Sequence, residues 1–439
     1  MPMNDRVGFM VGRLLQYGGQ ATLVLLLPLV LVPAQFALLQ LLLPVTHLIA
    51  TFAGGWLAAS AARYVHAAPS SAEGRVLPVV WRAHVLLLLV CIGSAAIACV
   101  LGFASGASLP ASSWAGPDAL TAALGAAAAL LVAASLLKTL AQSVLNSAGN
   151  ARVFVAASAG LALSPLLLIT ALWQAATVDS ALLAFAVCDV VVAVLALRWC
   201  GVAQPWWPRT AAGASSDVDA VALCLRYGGP VMLAGLGSWV IAWSDRYVLS
   251  FWVDAHEVGR YVQSYQLAAA IITIPLSFVV TLLVPRALAL ERDDGLAAAL
   301  RYVHTMQKRY RWLALPCGML ATVCILLLQK HFYAEYALPP SLIAVLVMAH
   351  LLLGYTHFQN KRFELSGRTA ELMRSLFVGA AANVAGNVLL VPQFGAAGAA
   401  WSTLLAYGVT VGWLGWRSAA AASSTRTSAG ASPPLRSQL

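Results

Sequence analysis

The chain has 439 residues, 61% of them hydrophobic and only 10% charged, with a formal net charge of +10 and a mean hydropathy of +0.82. Soluble globular chains carry about 25% charged and 45–50% apolar residues. This composition therefore excludes a soluble enzyme or binding module and specifies an all-α polytopic membrane protein.

A helix needs about 20 mainly apolar residues to cross a bilayer. Punctuation by Pro, Gly and charge clusters gives twelve such segments, roughly 10–31, 36–61, 80–103, 118–144, 153–173, 179–200, 227–250, 258–284, 312–330, 339–359, 373–392 and 396–416. The first apolar run, Leu23 to Val32, passes directly into more apolar sequence, so no cleaved signal peptide is expected. Segments one to six form an N-terminal unit, 1–203. A cytoplasmic linker is expected over 204–223, a second six-helix unit over 224–416, and a disordered Ser/Ala/Pro-rich tail over 417–439.

Lys and Arg favour cytoplasmic loops. With the N-terminus inside, the inner side receives Arg63, Arg75 and Arg82, then Arg198, Arg209 and Arg226. A loop running from Arg286 to Arg311 is the richest, and a later one holds Lys361, Arg362, Arg368 and Arg374. The outer side keeps Arg246, Arg260 and Lys330. Both termini are thus expected in the cytoplasm. The positive charge is a topological signal that also attracts anionic lipid, not a nucleic-acid footprint. The outer loops are very short, which opposes a membrane enzyme that must house donor and acceptor sugars.

The halves repeat. LLQYGGQA (14–21) returns as CLRYGGPV (224–231), 210 positions later, and LNSAGNARVF (145–154) is echoed by ELSGRTAELM (364–373), with Gly149 and Gly367 standing 218 apart. Six crossings separate the copies, so they share one orientation. That describes a parallel pseudo-twofold repeat about an axis along the membrane normal.

Several polar residues interrupt the apolar segments. Ser135, Lys138, Gln142 and Asn146 share one helical face, as do His350, Gly354, His357 and Lys361. Gln16, Gln20, Asn383 and Asn387 suit hydrogen bonds between helices. Tyr261 and Tyr265 lie one turn apart. An ammonium such as that of Lys138 must face a bundle interior or a wet cavity, or else snorkel. Asp245 and Arg246 sit side by side, flanked by Trp243, Tyr247 and Trp252. Each charge costs roughly 2.5–3.5 kcal/mol at bilayer depth. The pair reads either as an interfacial anchor with an aromatic belt or as the rim of an aqueous cavity. The seven cysteines lack metal spacing and read as packing. No Walker-type G-K-[ST] is present, ERDD (291–294) lacks ligand spacing, and no cofactor is expected beyond a coupling ion, H+ or Na+.

Residues 244–268, SDRYVLSFWVDAHEVGRYVQSYQLA, resemble the stretch of prokaryotic polysaccharide-export flippases that runs from Asp-Arg-aromatic through VG-x-Y to Y-x-L-A. Here these are Val258, Gly259, Tyr261, Tyr265, Leu267 and Ala268. NVAGNVLLVPQFGAAGAAWSTLLAYG (383–408) is similar to the same family's late pattern at Pro392, Gly395, Gly398, Ala399 and Ala400, while LVPAQFALLQL (31–41) is a degraded form of its early loop. The resemblance covers essentially the whole chain. It implies the fold of the multidrug/oligosaccharidyl-lipid/polysaccharide superfamily, a MATE-like pair of six-helix bundles around a central cavity in the bacterial inner membrane. It also implies movement of undecaprenyl-diphosphate-linked oligosaccharide between leaflets, with polysaccharide polymerase and glycosyltransferases as neighbours in the process. Lipid II flippases have two further C-terminal helices, absent here beyond Trp416, which favours the O-antigen (Wzx-type) branch. On that reading Arg246, Asp245, Lys138, Gln142, His357, Lys361, Tyr261, Tyr265 and Arg63 are the cavity candidates. The alternatives are an ion-coupled multidrug or metabolite antiporter of the same fold and a membrane-embedded polymerase or ligase. The first requires an acidic cavity, and only Asp189 and Asp245 lie well inside segments.

Overall fold

The computed structural model describes residues 3–64, 76–105, 122–147, 151–173, 177–199 and 214–430. Arg75, Gly149, Arg209, the 204–213 part of the linker and the tail beyond Gly430 lie outside the described residues, as does the side chain of Asn146. The described residues fold into twelve long helices: α1 (Met3–Val30), α2 (Pro33–Tyr64), α3 (Val76–Ser105), α4 (Ala122–Ser147), α5 (Ala151–Leu172), α6 (Val178–Trp199), α7 (Ala214–Ser250), α8 (Ala255–Asp294), α9 (Leu296–Phe332), α10 (Pro340–Leu365), α11 (Thr369–Phe394) and α12 (Ala396–Gly430). Nine are long and apolar enough to span a membrane, or ten with α7, which bends by 42° after Pro230. The chain is a multi-pass membrane protein.

Three expectations change. Residues 214–223 begin α7 instead of ending a linker, 417–430 continue α12 instead of forming a disordered tail, and the basic stretch 286–311 is the helical ends of α8 and α9 meeting at Gly295. In each case a helix runs past its apolar segment. Hydropathy marks where hydrocarbon ends, and a helix propagates further because every added residue closes one more backbone hydrogen bond.

Helices α1–α6 pack into one bundle and α7–α12 into another. α2 and α8 each contain a single π-turn, Thr51–Gly55 and Ala269–Thr273. These turns are also 218 positions apart, the offset of the sequence repeat, so the duplication extends to a local backbone defect. π-turns widen a helix locally and gather at functional places.

The bundles meet at the end opposite the termini and again toward the terminal end, where α2 packs on α7; at the opposite end the contacts are hydrogen bonds. The Tyr247 hydroxyl donates to Leu41 O at 2.6 Å, Trp239 Nε1 to Pro44 O at 3.0 Å, Tyr333 Oη to Leu25 O at 2.7 Å, and Tyr336 Oη to Leu31 O. Burial, and then Glu335 beside it, pushes the Tyr336 hydroxyl above its ordinary range, so it stays a donor. Gly259 sits where an added Cβ would collide with Pro33 O across the seam. Gly395, at φ 53° between α11 and α12, lets Ala396 N donate to Glu257 Oε1 at 3.3 Å. Two glycines of the family-like motifs therefore serve close backbone approach and a left-handed turn.

Candidate functional site

The polar residues separate into two groups. In the second bundle Asp245 is fully buried and Arg246 is 1% exposed. Asp245 Oδ2 accepts from Tyr261 Oη at 2.6 Å and its Oδ1 from the Arg246 backbone N at 2.8 Å. Arg246 Nε stands 3.9 Å from Asp245 Oδ1. The guanidinium carbon lies 4.1 Å from the Trp243 ring centroid and 5.7 Å from that of Tyr265. Cation–π attraction is strongest over indole and grows on desolvation, so this aromatic wall replaces part of the lost water. Among the described residues Arg246 Nε and Nη1 have no hydrogen-bond partner.

Around this pair α7, α11 and α12 are tied by neutral groups. Ser244 Oγ donates to Asn383 Oδ1 at 2.7 Å, Asn387 Nδ2 to the same oxygen at 3.0 Å, and Ser402 Oγ to Asn383 O at 2.8 Å. Both asparagines are fully buried; Asn383 bonds across helices, as expected of amides in a membrane bundle, whereas Asn387 bonds to Asn383 one turn away on α11. His350 packs edge-on against Tyr265, with ring centroids 4.6 Å apart, and its Nδ1 contacts Leu346 O at 2.8 Å. Carboxylate and amide oxygens at this density could hold a small hard cation, although no group of three or more His, Cys, Asp or Glu side chains is arranged for a metal among the described residues.

The other group lies in the first bundle. Lys138 Nζ of α4 donates to Asp189 Oδ1 of α6 at 2.7 Å, with side-chain exposures of 33% and 10%. Asp189 stands in the middle of α6, and the exposed His47 of α2 lies within electrostatic range of both. Gln142, one turn from Lys138, is half-buried. Chemically this is an accessible ammonium whose carboxylate partner can be exchanged for another anion.

The remaining candidates scatter. His357 is half-buried with Nε2 unpartnered. Lys361 pairs with Glu364 at 2.5 Å and lines a cavity of about 280 Å³ with Leu283, Ala287 and Glu291. Arg63 stacks on Tyr227 at the end of α2. The structure thus gathers Asp245, Arg246, Tyr261 and Tyr265 together, puts Lys138 and Gln142 in the opposite bundle, and leaves His357, Lys361 and Arg63 apart from both groups. Asp189 and His47 are additional members of the Lys138 group. Asp189 was visible as a carboxylate inside a segment, but its partner is 51 positions away and no local pattern names it.

Residues 8–289 match the family described as polysaccharide biosynthesis protein. The chain belongs to that family. No curated protein matches it. Among solved structures the fold is similar to an inward-facing multidrug resistance MATE family transporter of the MOP superfamily, at 15% identity and a TM-score of 0.64, covering 95% of this chain and 99% of that one. It is also similar to the lipid II flippase MurJ in an inward closed conformation, at 14% identity and a TM-score of 0.58, covering 94% and 87%. A MOP superfamily transporter from Pyrococcus furiosus matches at 15% identity and a TM-score of 0.59, covering 94% of each chain. The fold is therefore the MATE-like pair of six-helix bundles seen in those structures, here in a chain of the polysaccharide biosynthesis family.

Proposed function

We propose that this protein carries undecaprenyl-diphosphate-linked oligosaccharide from the cytoplasmic to the outer leaflet of the bacterial inner membrane, by alternating access and with both termini cytoplasmic. The observation that carries the reading is Lys138, a half-buried ammonium near the middle of a span inside a polysaccharide-family fold. A diphosphate cannot enter hydrocarbon unaided, and Lys binds phosphate as a compact point charge. Asp189 neutralises Lys138 until the head group arrives. Arg246, sealed between Trp243 and Tyr265, has no open face for a head group in this conformation. It acts with Asp245 as the internal charge pair that fixes α7 against α8.

The charge-swapped variant Lys138→Asp/Asp189→Lys tests this role. It restores an ion pair, so protein levels and melting should match wild type. Export should still fall at least tenfold, because one lost charge-assisted contact is worth roughly 1.5–3 kcal/mol. Full export by the swap would reduce the pair to structural glue.

The fold's likeness to a multidrug transporter favours a second reading, an ion-coupled antiporter. Deleting the gene separates them. A flippase predicts undecaprenyl-linked oligosaccharide accumulating on the cytoplasmic leaflet with unchanged drug sensitivity. Normal surface polysaccharide with heightened sensitivity to cationic drugs would sink the flippase.

A further inference from the structure

At the terminal end of the molecule α2 and α7 run in backbone contact. An added Cβ on Gly228 would strike Trp56 O, and Ser60 Oγ reaches Cys224 O at 3.3 Å. Just beyond this seam a cavity of about 290 Å³ opens, lined by Arg63, Tyr64, Leu223, Arg226 and Tyr227. Each bundle contributes one arginine. The Arg63 guanidinium lies 4.5 Å from the Tyr227 ring centroid and 5.7 Å from that of Tyr64, so its fork is held in place before anything binds. Among the described residues neither arginine has a carboxylate partner, and none lines the cavity. Among the described residues no carboxylate separates the two guanidiniums, and like charges facing one space favour entry of an anion. The surroundings are amphipathic: Leu223 is half-buried in the lining, and Leu225 and Val221 of α7 are exposed on the flank.

We propose that this pocket binds the phosphate of an anionic phospholipid, with its acyl chains along the apolar flank of α7, and that the bound lipid staples α2 to α7 across the two bundles. Arginine forks match phosphate oxygens bidentately, and tyrosine rings suit the headgroup level of a bilayer. The site is separate from the Lys138–Asp189 pair, which lies at mid-span, and does not depend on what that pair transports. Arg63 and Tyr64 close α2, at the level where lipid phosphates reside.

Native mass spectrometry of the detergent-purified full chain, titrated with phosphatidylglycerol against a phosphatidylcholine background, tests this. Wild type should retain one phosphatidylglycerol about tenfold more tightly than Arg63→Gln/Arg226→Gln. The control Arg301→Gln/Arg309→Gln, on exposed positions of α9, should stay within twofold of wild type. Lipid-free melting of both variants should match wild type, since all four arginines are exposed. Equal retention by wild type and the pocket variant overturns the site, as does equal loss in the control, which would mean diffuse attraction to basic surface. A second titration uses undecaprenyl diphosphate. If the pocket variant weakens that ligand while phosphatidylglycerol binding is intact, the phosphate belongs to the carried lipid and the phospholipid assignment is overturned.

Discussion

Replacing Asp245 by alanine should cost this protein a large share of its stability, on the order of 3–5 kcal/mol. That is the usual penalty for leaving one member of a buried ion pair without the other. Arg246 is 1% exposed, and among the described residues two of its guanidinium nitrogens already lack hydrogen-bond partners. Without the carboxylate, its charge would face only the Trp243 and Tyr265 rings. Tyr261 would lose its acceptor as well. Asp245→Asn, which keeps an oxygen for Tyr261, should fall between alanine and wild type. The double variant Asp245→Leu/Arg246→Met should recover most of the loss, because replacing a buried pair with apolar volume is often neutral. Melting of the detergent-purified variants provides the readout. An Asp245→Ala protein that melts like wild type would show that the aromatic wall alone holds the guanidinium.

The burial of Arg246 marks the limit of what the sequence makes legible. Twelve helices and the duplication could be read directly, because apolar length and Gly-centred motifs are local signals. The offset of 218 recurs in the π-turns of α2 and α8, although nothing in TFAGG and AAIIT forecasts a π-turn. The orientation of a charged pair depends on helix rotation, which is set by neighbours distant in sequence. Asp245 of α7 meets Tyr261 of α8, 16 positions away, while Ser244 meets Asn383, 139 positions away. For the same reason the stripe of His350, Gly354, His357 and Lys361 does not act as a unit. His350 packs on Tyr265, Gly354 admits Tyr310 and Leu276, and Lys361 turns to Glu364. A shared helical face fixes direction relative to the helix axis, but not what stands opposite.

A tryptophan at Gly18 should give a well-folded protein that does not export. Gly18 and Gly228 hold the same place in the two copies of the YGG motif, yet their surroundings differ. Gly228 is buried against Trp56 O just after the π-turn of α2, whereas Gly18 is exposed with no atom within 4 Å of an added Cβ. The repeat offset of 218 carries Trp56 to Ile274, the residue after the π-turn of α8. The seam between α2 and α7 is thus closed at Gly228, while the equivalent place on α1 at Gly18 faces open space. Alternating access in a duplicated transporter proceeds by rocking one repeat against the other, and closing the terminal end requires α8 to approach α1 as α2 already approaches α7. Backbone-to-backbone approach tolerates little beyond glycine. Gly18→Trp should therefore leave protein level and melting near wild type while surface polysaccharide drops about tenfold or more. Gly18→Ala should lie between the two. Gly229→Trp is the matched control, because its added side chain also meets open space but lies outside the proposed seam. Gly228→Trp should instead lower stability, since its collision is with backbone. Wild-type export by Gly18→Trp would mean that α1 and α8 never close at this level.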